Sequence, residues 1–398
     1  MAYTSGLLFL REIRTADWTD SHISNPSASV PAENLASGQL GRIRETVPRT
    51  AEKIDPTRNF TTIAMEVRDS GLLRRARWFY LVLMLGLGAG LVAAAAGFVL
   101  LGASWFQLLI AGGLGVLFTQ FAFIAHEASH RQVLESGPAN DRMGRLVGVL
   151  LVGMSYSWWM TKHTRHHANP NQIDKDPDIG GSVIAFYDDK AKNARGPLAF
   201  INRRQGVLFF PLLLLEGLNL YVQSYAHLLS RKPIKGRVFE LTMLTLRFTV
   251  LFGAVFYFLP LGMAFAFLGV QMAVFGLYMG GAFAPNHIGM PILEKESTFD
   301  FLTKQVVTSR NIAGGFWASA IYGGLNYQVE HHLFPNMARV HLAKTRKIVR
   351  EYCRTADIPY TETSIPRAYA AVITYLNQVG RLARDPFACP VAGLYRRA

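Results

Sequence analysis

The sequence predicts an all-α integral membrane protein: four transmembrane helices arranged as two hairpins, with interfacial amphipathic helices and a cytoplasmic helical cap holding a histidine-rich dimetal site. Three observations predict it. Half of the 398 residues are hydrophobic and only 17% are charged, against roughly 25% in soluble proteins. Four long runs carry almost no charge. The basic residues, which give a net charge of +14, fall into blocks that alternate with those runs. This balance excludes a disordered chain and a purely soluble globule. The two cysteines, Cys353 and Cys389, exclude a disulfide framework and a four-cysteine metal site.

Residues 1–65 are polar and carry Pro26, Pro31, Pro48 and Pro56, so they read as a flexible tail. The apolar stretch Gly6–Leu10 is too short for the core of a signal peptide. The membrane domain runs over 66–360, and 361–398 reads as a C-terminal cytoplasmic tail. Residues 78–101 are 24 residues without a charge, and 104–125 are 22 more. A bilayer core takes about 20 apolar residues as helix, so both are spans. The pattern recurs at 241–259, which holds only Arg247, and at 262–284, which holds no charge. The connectors around Gly102 and at Pro260-Leu261 are too short for anything but hairpins.

Of the basic residues, 11 lie in residues 1–77, 15 in 126–240 and 14 in 285–398; Arg247 is the remaining one. Basic residues stay on the cytoplasmic side, so the N-terminus, the central region and the C-terminus face the cytoplasm. The charge then needs no nucleic acid to explain it. Residues 207–229 are long and apolar enough for a fifth span, but Glu216, Asn219, Gln223 and His227 make a polar stripe at helical spacing. The segment reads as an amphipathic helix in the interface, and the run 143–160 reads the same way. The GxxxG pairs Gly86/Gly90 and Gly276/Gly280 read as close helix packing.

Eight of the eleven histidines lie near the cytoplasmic ends of hydrophobic segments. The second span runs into His126-Glu127-Ala128-Ser129-His130, where His126 and His130 share a helical face. The run 143–160 leads into His163, His166 and His167. His287 follows the fourth span, and Gln328-Val329-Glu330-His331-His332 forms the last group. Imidazole is the commonest ligand for borderline divalent metals. Eight are too many for one tetrahedral zinc and suit two metals at about four each. An all-nitrogen site with open positions suits iron that must meet dioxygen. His126-Glu127-Ala128-Ser129-His130 also matches H-E-x-x-H, so a membrane zinc protease with Glu127 as base is a competing reading. It leaves five histidines unexplained.

At these residues the chain resembles the membrane fatty acid desaturase family, which carries three histidine boxes. Here they stand as His126…His130, His163…His166-His167 and Gln328…His331-His332, with Asp176-Pro177-Asp178 and Leu333-Phe334-Pro335 as matching context. The resemblance covers about residues 70–360. It implies a non-haem diiron centre, O2 as co-substrate, and a double bond placed in an acyl chain held in a narrow apolar tunnel. It also implies that His287 is an additional ligand, and that coenzyme A, a glycerolipid or a carrier protein bears the acyl group. Gln328 in place of the first histidine of the third box resembles the front-end branch and some bacterial acyl desaturases. No His-Pro-Gly-Gly haem signature precedes His126, so electrons are expected from a separate ferredoxin or cytochrome with its reductase. A stand-alone chain of this kind resembles those of actinobacteria, which implies a bacterial inner membrane. A diiron hydroxylase or acetylene-forming enzyme of the same superfamily is the nearest alternative, because one oxidant can serve either outcome.

The other polar residues read more plainly. Gln328 is a ligand or acts beside the ligands, and Glu127, Glu330 and Asp178 can orient them. Asp174, Asp176 and Asp178 alternate as in a calcium loop, but Gly180 is out of register; they cap turns or bond to the histidines. His22 belongs to the tail, His227 to the polar stripe and His341 to a basic surface. Trp158, Asn169 and Asn171 are candidates for the substrate entrance.

Overall fold

The computed structural model describes residues 56–181 and 183–383. The tail residues 1–55, with His22, and 384–398, with Cys389, lie outside the described residues. The chain divides into two units, Met1–Thr61 and Thr62–Ala398. Of the first, only the opening of a helix, α1 (Pro56–Asp69), is described; the second carries the rest of the fold.

The first two apolar runs form α2 (Arg77–Leu101) and α3 (Gln107–Ser129). Their connector closes through Gly102, and the buried Gln107 side chain donates to the Phe98 and Gly102 carbonyls at 2.6 and 2.9 Å. Carbonyls at a helix end lack intrahelical partners, and lipid offers none; one amide here serves two of them. α3 does not stop at 125. It runs on to Ser129, so the first histidine pair sits on its final turn.

The run 143–160, expected as one helix, is broken. α4 (Gly137–Arg145) passes into a π-helical segment, Leu146–Val152, which ends at Gly153 with φ 92°. Glycine enters that left-handed region without the steric cost of a Cβ. The chain turns there and returns as α5 (Tyr156–Ala168), capped by Ser155, whose Oγ accepts from the Trp158 amide at 3.1 Å. Three short helices, α6 (Pro177–Gly180), α7 (Asp188–Asn193) and α8 (Gly196–Arg203), lead onward.

Residues 207–229 are likewise not one helix. They fall into α9 (Gln205–Leu213) and α10 (Glu216–Leu229), bent by 71° at the break. Pro211 removes a backbone donor from α9 and weakens its continuation. On α10 the expected stripe holds: Asn219 and Gln223 are exposed, Glu216 and His227 are half-buried, and Leu220, Tyr221 and Leu228 face inward.

α11 (Arg237–Phe258) and α12 (Leu261–His287) meet at Leu259-Pro260. With α2 and α3 they are the four single helices of the described residues long and apolar enough to cross a membrane; the bent pair α9–α10 passes the same test together. α3 and α12 make the central contact, through Ala111, Leu114, Phe118, Phe267, Phe275 and Met279. α2 instead leaves Leu85, Val92 and Leu100 exposed, as a lipid-facing helix does. α10 crosses α12 where Gly217 faces Gly276; a Cβ on Gly276 would fall 2.4 Å from the Gly217 nitrogen.

The remaining chain forms a cap over the ends of α3 and α12. It comprises α13 (Phe301–Val307), β1 (Arg310–Ala313), α14 (Gly315–Ile321), α15 (Gln328–Leu333), α16 (Arg339–Thr355), β2 (Thr361–Ser364) and α17 (Ile365–Leu382). β1 and β2 pair in parallel, from Arg310 opposite Thr361 to Ala313 opposite Ser364. Residues 361–382, read from sequence as part of a tail, are therefore built into the fold. α17 buries Val372 and Leu376 against Phe209, Leu213 and Ala284, and Gln205 of α9 donates to the Leu376 carbonyl at 3.0 Å.

Candidate metal centre

All eight predicted histidines converge on the inner face of the cap. The end of α3 supplies His126, and His130 follows as its cap residue, its amide bonded to the His126 carbonyl at 3.2 Å. α5 presents His163 and His167 on one face with His166 beside them. α12 ends in His287, and α15 carries Gln328, His331 and His332.

The rings sort into two adjoining groups. The coordinating nitrogens of His126, His130, His163, His167 and His331 lie within 4.8 Å of one another, and so do those of His166, His287 and His332. In the first group, His163 Nε2 is 3.0 Å from His126 Nε2 and 2.7 Å from His130 Nε2. The groups touch where His167 and His332 stack at 4.3 Å. The sequence suggests two metals at about four imidazoles each; the geometry divides them five and three. Gln328 lies beside the smaller group, its amide nitrogen 2.9 Å from His287 Nε2 and its oxygen accepting from Asn286 at 3.2 Å.

Neighbouring residues hold the rings by their other nitrogens. His287 Nδ1 is 2.9 Å from the Thr308 carbonyl, and His332 Nδ1 is 2.8 Å from Gln305 Oε1. A carbonyl can only accept, so both Nδ1 atoms carry the proton and both Nε2 lone pairs point into the group. The Gln305 amide donates on to the His167 carbonyl at 2.8 Å. His166 Nδ1 lies 3.0 and 3.1 Å from the two Asp176 oxygens and 3.2 Å from Asp178. Asp176 is itself held by the Asn171 and Asp178 amides.

Electrostatics favour lone pairs over protons. Burial, reinforced by neighbouring imidazoles, holds His163, His167, His331 and His332 well below the ordinary imidazole range, and burial takes His130 down to about 3. His166 is the exception: burial lowers it, but Asp176 and Asp178 outweigh that and raise it. Burial opposes ionisation of Asp178, yet Lys162, 2.7 Å away, and His166 hold its carboxyl low.

Among the described residues, five buried ring nitrogens have no hydrogen-bond partner: His126 Nδ1, both nitrogens of His167, His331 Nε2 and His332 Nε2. Each such atom costs about 1–3 kcal/mol when nothing meets it, and buried polar groups are nearly always satisfied. Neutral imidazoles with unspent lone pairs are the donor set a borderline divalent metal takes. The residues fit a metal pair.

The neighbouring carboxylates do other work. Glu127 points away from the histidines into a buried two-point ion pair with Arg339, at 2.7 and 2.6 Å, and accepts from the Tyr80 hydroxyl. A base for metal-bound water must face the metal, so the H-E-x-x-H reading fails on geometry. Glu330 accepts from Asn311 and Tyr360 at 2.7 and 2.8 Å, and burial lifts its carboxyl to about 7. His227 and His341 stand outside both groups. Trp158 lies over Lys162, and it is Trp159 that stacks on His163, at 4.6 Å. Beside them a narrow cavity of about 30 Å³ is lined by Ala122, His126, Val152, Met154, Trp159 and Met279, among others.

Sequence reasoning gave Asp176 only as one of two readings and missed Gln305, Thr308, Asn311 and Arg339 altogether. Asp176 had a signal, the carboxylate before Pro177 in a loop following the second box. Gln305 and Thr308 had none, because both reach the rings from a segment that carries no motif.

The model for the fatty acid desaturase family matches residues 103–364. The chain belongs to that family. A Delta(8)-fatty-acid desaturase of Arabidopsis thaliana is 28% identical over an alignment spanning 93% of this desaturase and 88% of the relative. A Delta(6)-fatty-acid desaturase of Caenorhabditis elegans is also 28% identical, over 81% and 74%. A Delta 8-(E)-sphingolipid desaturase of Emericella nidulans is 27% identical, over 68% and 53%. The desaturase is thus an oxidoreductase of acyl chains, and its three histidine boxes are the residues the structure gathers under the cap.

Proposed function

We propose that this desaturase holds two non-haem irons and uses O2 to introduce a cis double bond into a fatty acyl chain. The observation that carries the reading is the set of five partnerless ring nitrogens within two adjoining groups of imidazoles, most of them held neutral by burial. His126, His130, His163, His167 and His331 would hold one iron. His166, His287 and His332 would hold the other, with Gln328 either a further ligand or bonded beside them.

Bound there, the metal pair supplies an oxidant strong enough for unactivated C–H bonds, which acid–base chemistry cannot break. Overall, –CH2–CH2– becomes –CH=CH–, while O2, two electrons and two further protons become two waters. The protein's own part is binding and orientation. The apolar residues beside His126, Trp159 and Met279 among them, would keep water from the ring cluster where an acyl chain is processed. Thr308, Gln305 and Asp176 fix the orientation of His287, His332 and His166. Glu127 and Arg339 tie the first box to the segment after the third. Two Delta(8) and Delta(6) fatty-acid relatives favour a double bond counted from the carboxyl end.

The electrons come from a separate ferredoxin or cytochrome, and the acyl group rides on coenzyme A, a glycerolipid or a carrier protein. The basic blocks favour an orientation with both termini and the metal centre cytoplasmic and the Gly102 and Pro260 turns across the membrane. The test is double-bond mapping in a host lacking polyunsaturated lipids, with a ferredoxin and its reductase supplied. A new double bond that vanishes in His331→Ala is expected. A hydroxylated product in its place would move the assignment to the hydroxylase alternative.

A further inference from the structure

The cap helix α16 carries Arg339, Lys344, Arg346, Lys347, Arg350 and Arg354 against a single acid, Glu351. Three of these cations have partners: Arg339 pairs with Glu127, Arg346 with Glu362 and Arg354 with Glu351. Lys344, Lys347 and Arg350 are exposed, and among the described residues no carboxylate pairs with them. Their spacing of three residues puts them along one side of the helix, away from the buried Leu342, Thr345, Val349 and Cys353. The stripe continues past the start of the helix. His341 lies against the Arg74 backbone, and Arg75 Nη1 donates to the Asn336 carbonyl at 3.1 Å. Like charges gathered on one face repel one another, so the fold gains nothing from them; they shape the field that a charged partner meets.

The base of this stripe is tied to both histidine groups. Asn336 is exposed and follows His332 of the smaller group by four residues, a length of chain that spans at most about 14 Å. Arg339, at the first turn of α16, grips Glu127, the chain neighbour of His126 in the larger group. The face is also unlike one that lies in a bilayer. A helix in the interface needs apolar side chains to bury among the lipids, and among the described residues α16 exposes no large apolar side chain. α8 makes the contrast: it exposes Leu198 and Phe200 beside its basic residues. The outer face of α16 is charged throughout, as suits an aqueous protein partner.

We propose that the outer face of α16, through Lys344, Lys347 and Arg350, is the docking surface of an electron-carrier protein that presents carboxylates around its redox group. The inference rests on the desaturase reading above. Forming one double bond with O2 draws two electrons from outside the acyl chain. A one-electron carrier therefore docks twice per turnover, loses one electron at each visit and leaves oxidised, while water supplies the two protons. Such a partner has to arrive quickly and leave quickly. Exposed charges of one sign raise the rate of encounter without making the complex long-lived. The short chain path from Asn336 to His332 then carries the electron from that face to the ring cluster.

The full chain is purified with its metal, and double-bond formation is followed while an acidic [2Fe–2S] ferredoxin, kept reduced by its reductase, is varied. In the double variant Lys344→Glu with Lys347→Glu, KM for ferredoxin is expected to rise about tenfold or more. The kcat at saturating ferredoxin, KM for the acyl substrate and iron per chain should stay at wild-type values. The wild-type ferredoxin KM should itself rise as salt goes from about 0.01 M to about 0.15 M, where the screening length falls from about 30 to about 8 Å; in the double variant that dependence should flatten or reverse. A ferredoxin KM unmoved in the double variant overturns the proposal. If KM for the acyl substrate rises instead, the face serves the substrate's own phosphates, and the proposal fails. A fall in kcat and iron with ferredoxin KM unmoved marks a structural role and also overturns it. Should the double variant fail to accumulate, Lys347→Gln and Arg350→Gln each remove one exposed charge, and a ferredoxin KM and salt dependence unmoved in both overturn it too. A wild type that forms no double bond, with ferredoxin or with a small chemical reductant, overturns the desaturase reading; a wild-type ferredoxin KM indifferent to salt overturns the docking face alone.

Discussion

Each imidazole offers two nitrogens, and what meets the second decides what the first can do. Asp176 grips His166 from behind at 3.0 and 3.1 Å. Asp176→Asn keeps the shape and removes the charge, so a 10- to 100-fold loss of metal affinity is expected, at about the level such outer partners contribute; unchanged iron retention against a chelator would contradict it. Gln305 bonds His332 with its oxygen and the His167 carbonyl with its nitrogen. Gln305→Glu keeps the acceptor for His332 and should retain more iron than Gln305→Leu, which leaves both partners unmet; equal losses would show that the His332 bond is not what matters. Gln305 was not legible in sequence because its contacts join segments far apart in the chain and repeat with no period, whereas Asp176 was half-legible, ten residues from His166. The histidines were legible because spacing of three and four residues puts them on one helical face.

Helix ends, more than helix interiors, separate the expected elements from the observed ones. Apolar length alone located α2, α3, α11 and α12, since a bilayer demands it. It could not locate the break at Gly153, where one left-handed residue reverses the chain, or the 71° bend between α9 and α10. β1 and β2 have four residues each, too few for an alternation to stand out, and α17 was hidden behind them. The Glu127–Arg339 pair joins α3 to α16. Arg339→Ala leaves a buried carboxylate unpaired and should destabilise the fold by about 3–5 kcal/mol; a thermal midpoint near wild type would show that the pair carries little. Gly276→Val would force α10 off α12, and the overpacking should cost about 1–3 kcal/mol, read as a lowered midpoint with the spectrum of the native helices retained.

At the scale of the whole molecule, the spans, the connectors and the cap serve to bring four separated stretches of chain to one buried spot. Their sequence pattern pointed to the family and to the eight rings. It did not show the division into five and three, which depends on how α5, α12 and α15 face one another. Topology follows from the same arrangement: reporters placed after Gly102 and after Pro260 should appear on the far side of the membrane, and one after Leu229 on the side of the histidines. A far-side signal after Leu229 would make α9 and α10 a broken fifth span. The central claim is that the eight histidines form two adjoining iron sites in one chain. The measurement that reaches it most directly is metal content of the purified full-length protein, taken alongside His331→Ala and His287→Ala. About two irons per chain are expected, from the eight-imidazole donor set, with clear loss in each variant. One zinc per chain, or iron that neither substitution disturbs, would contradict the account.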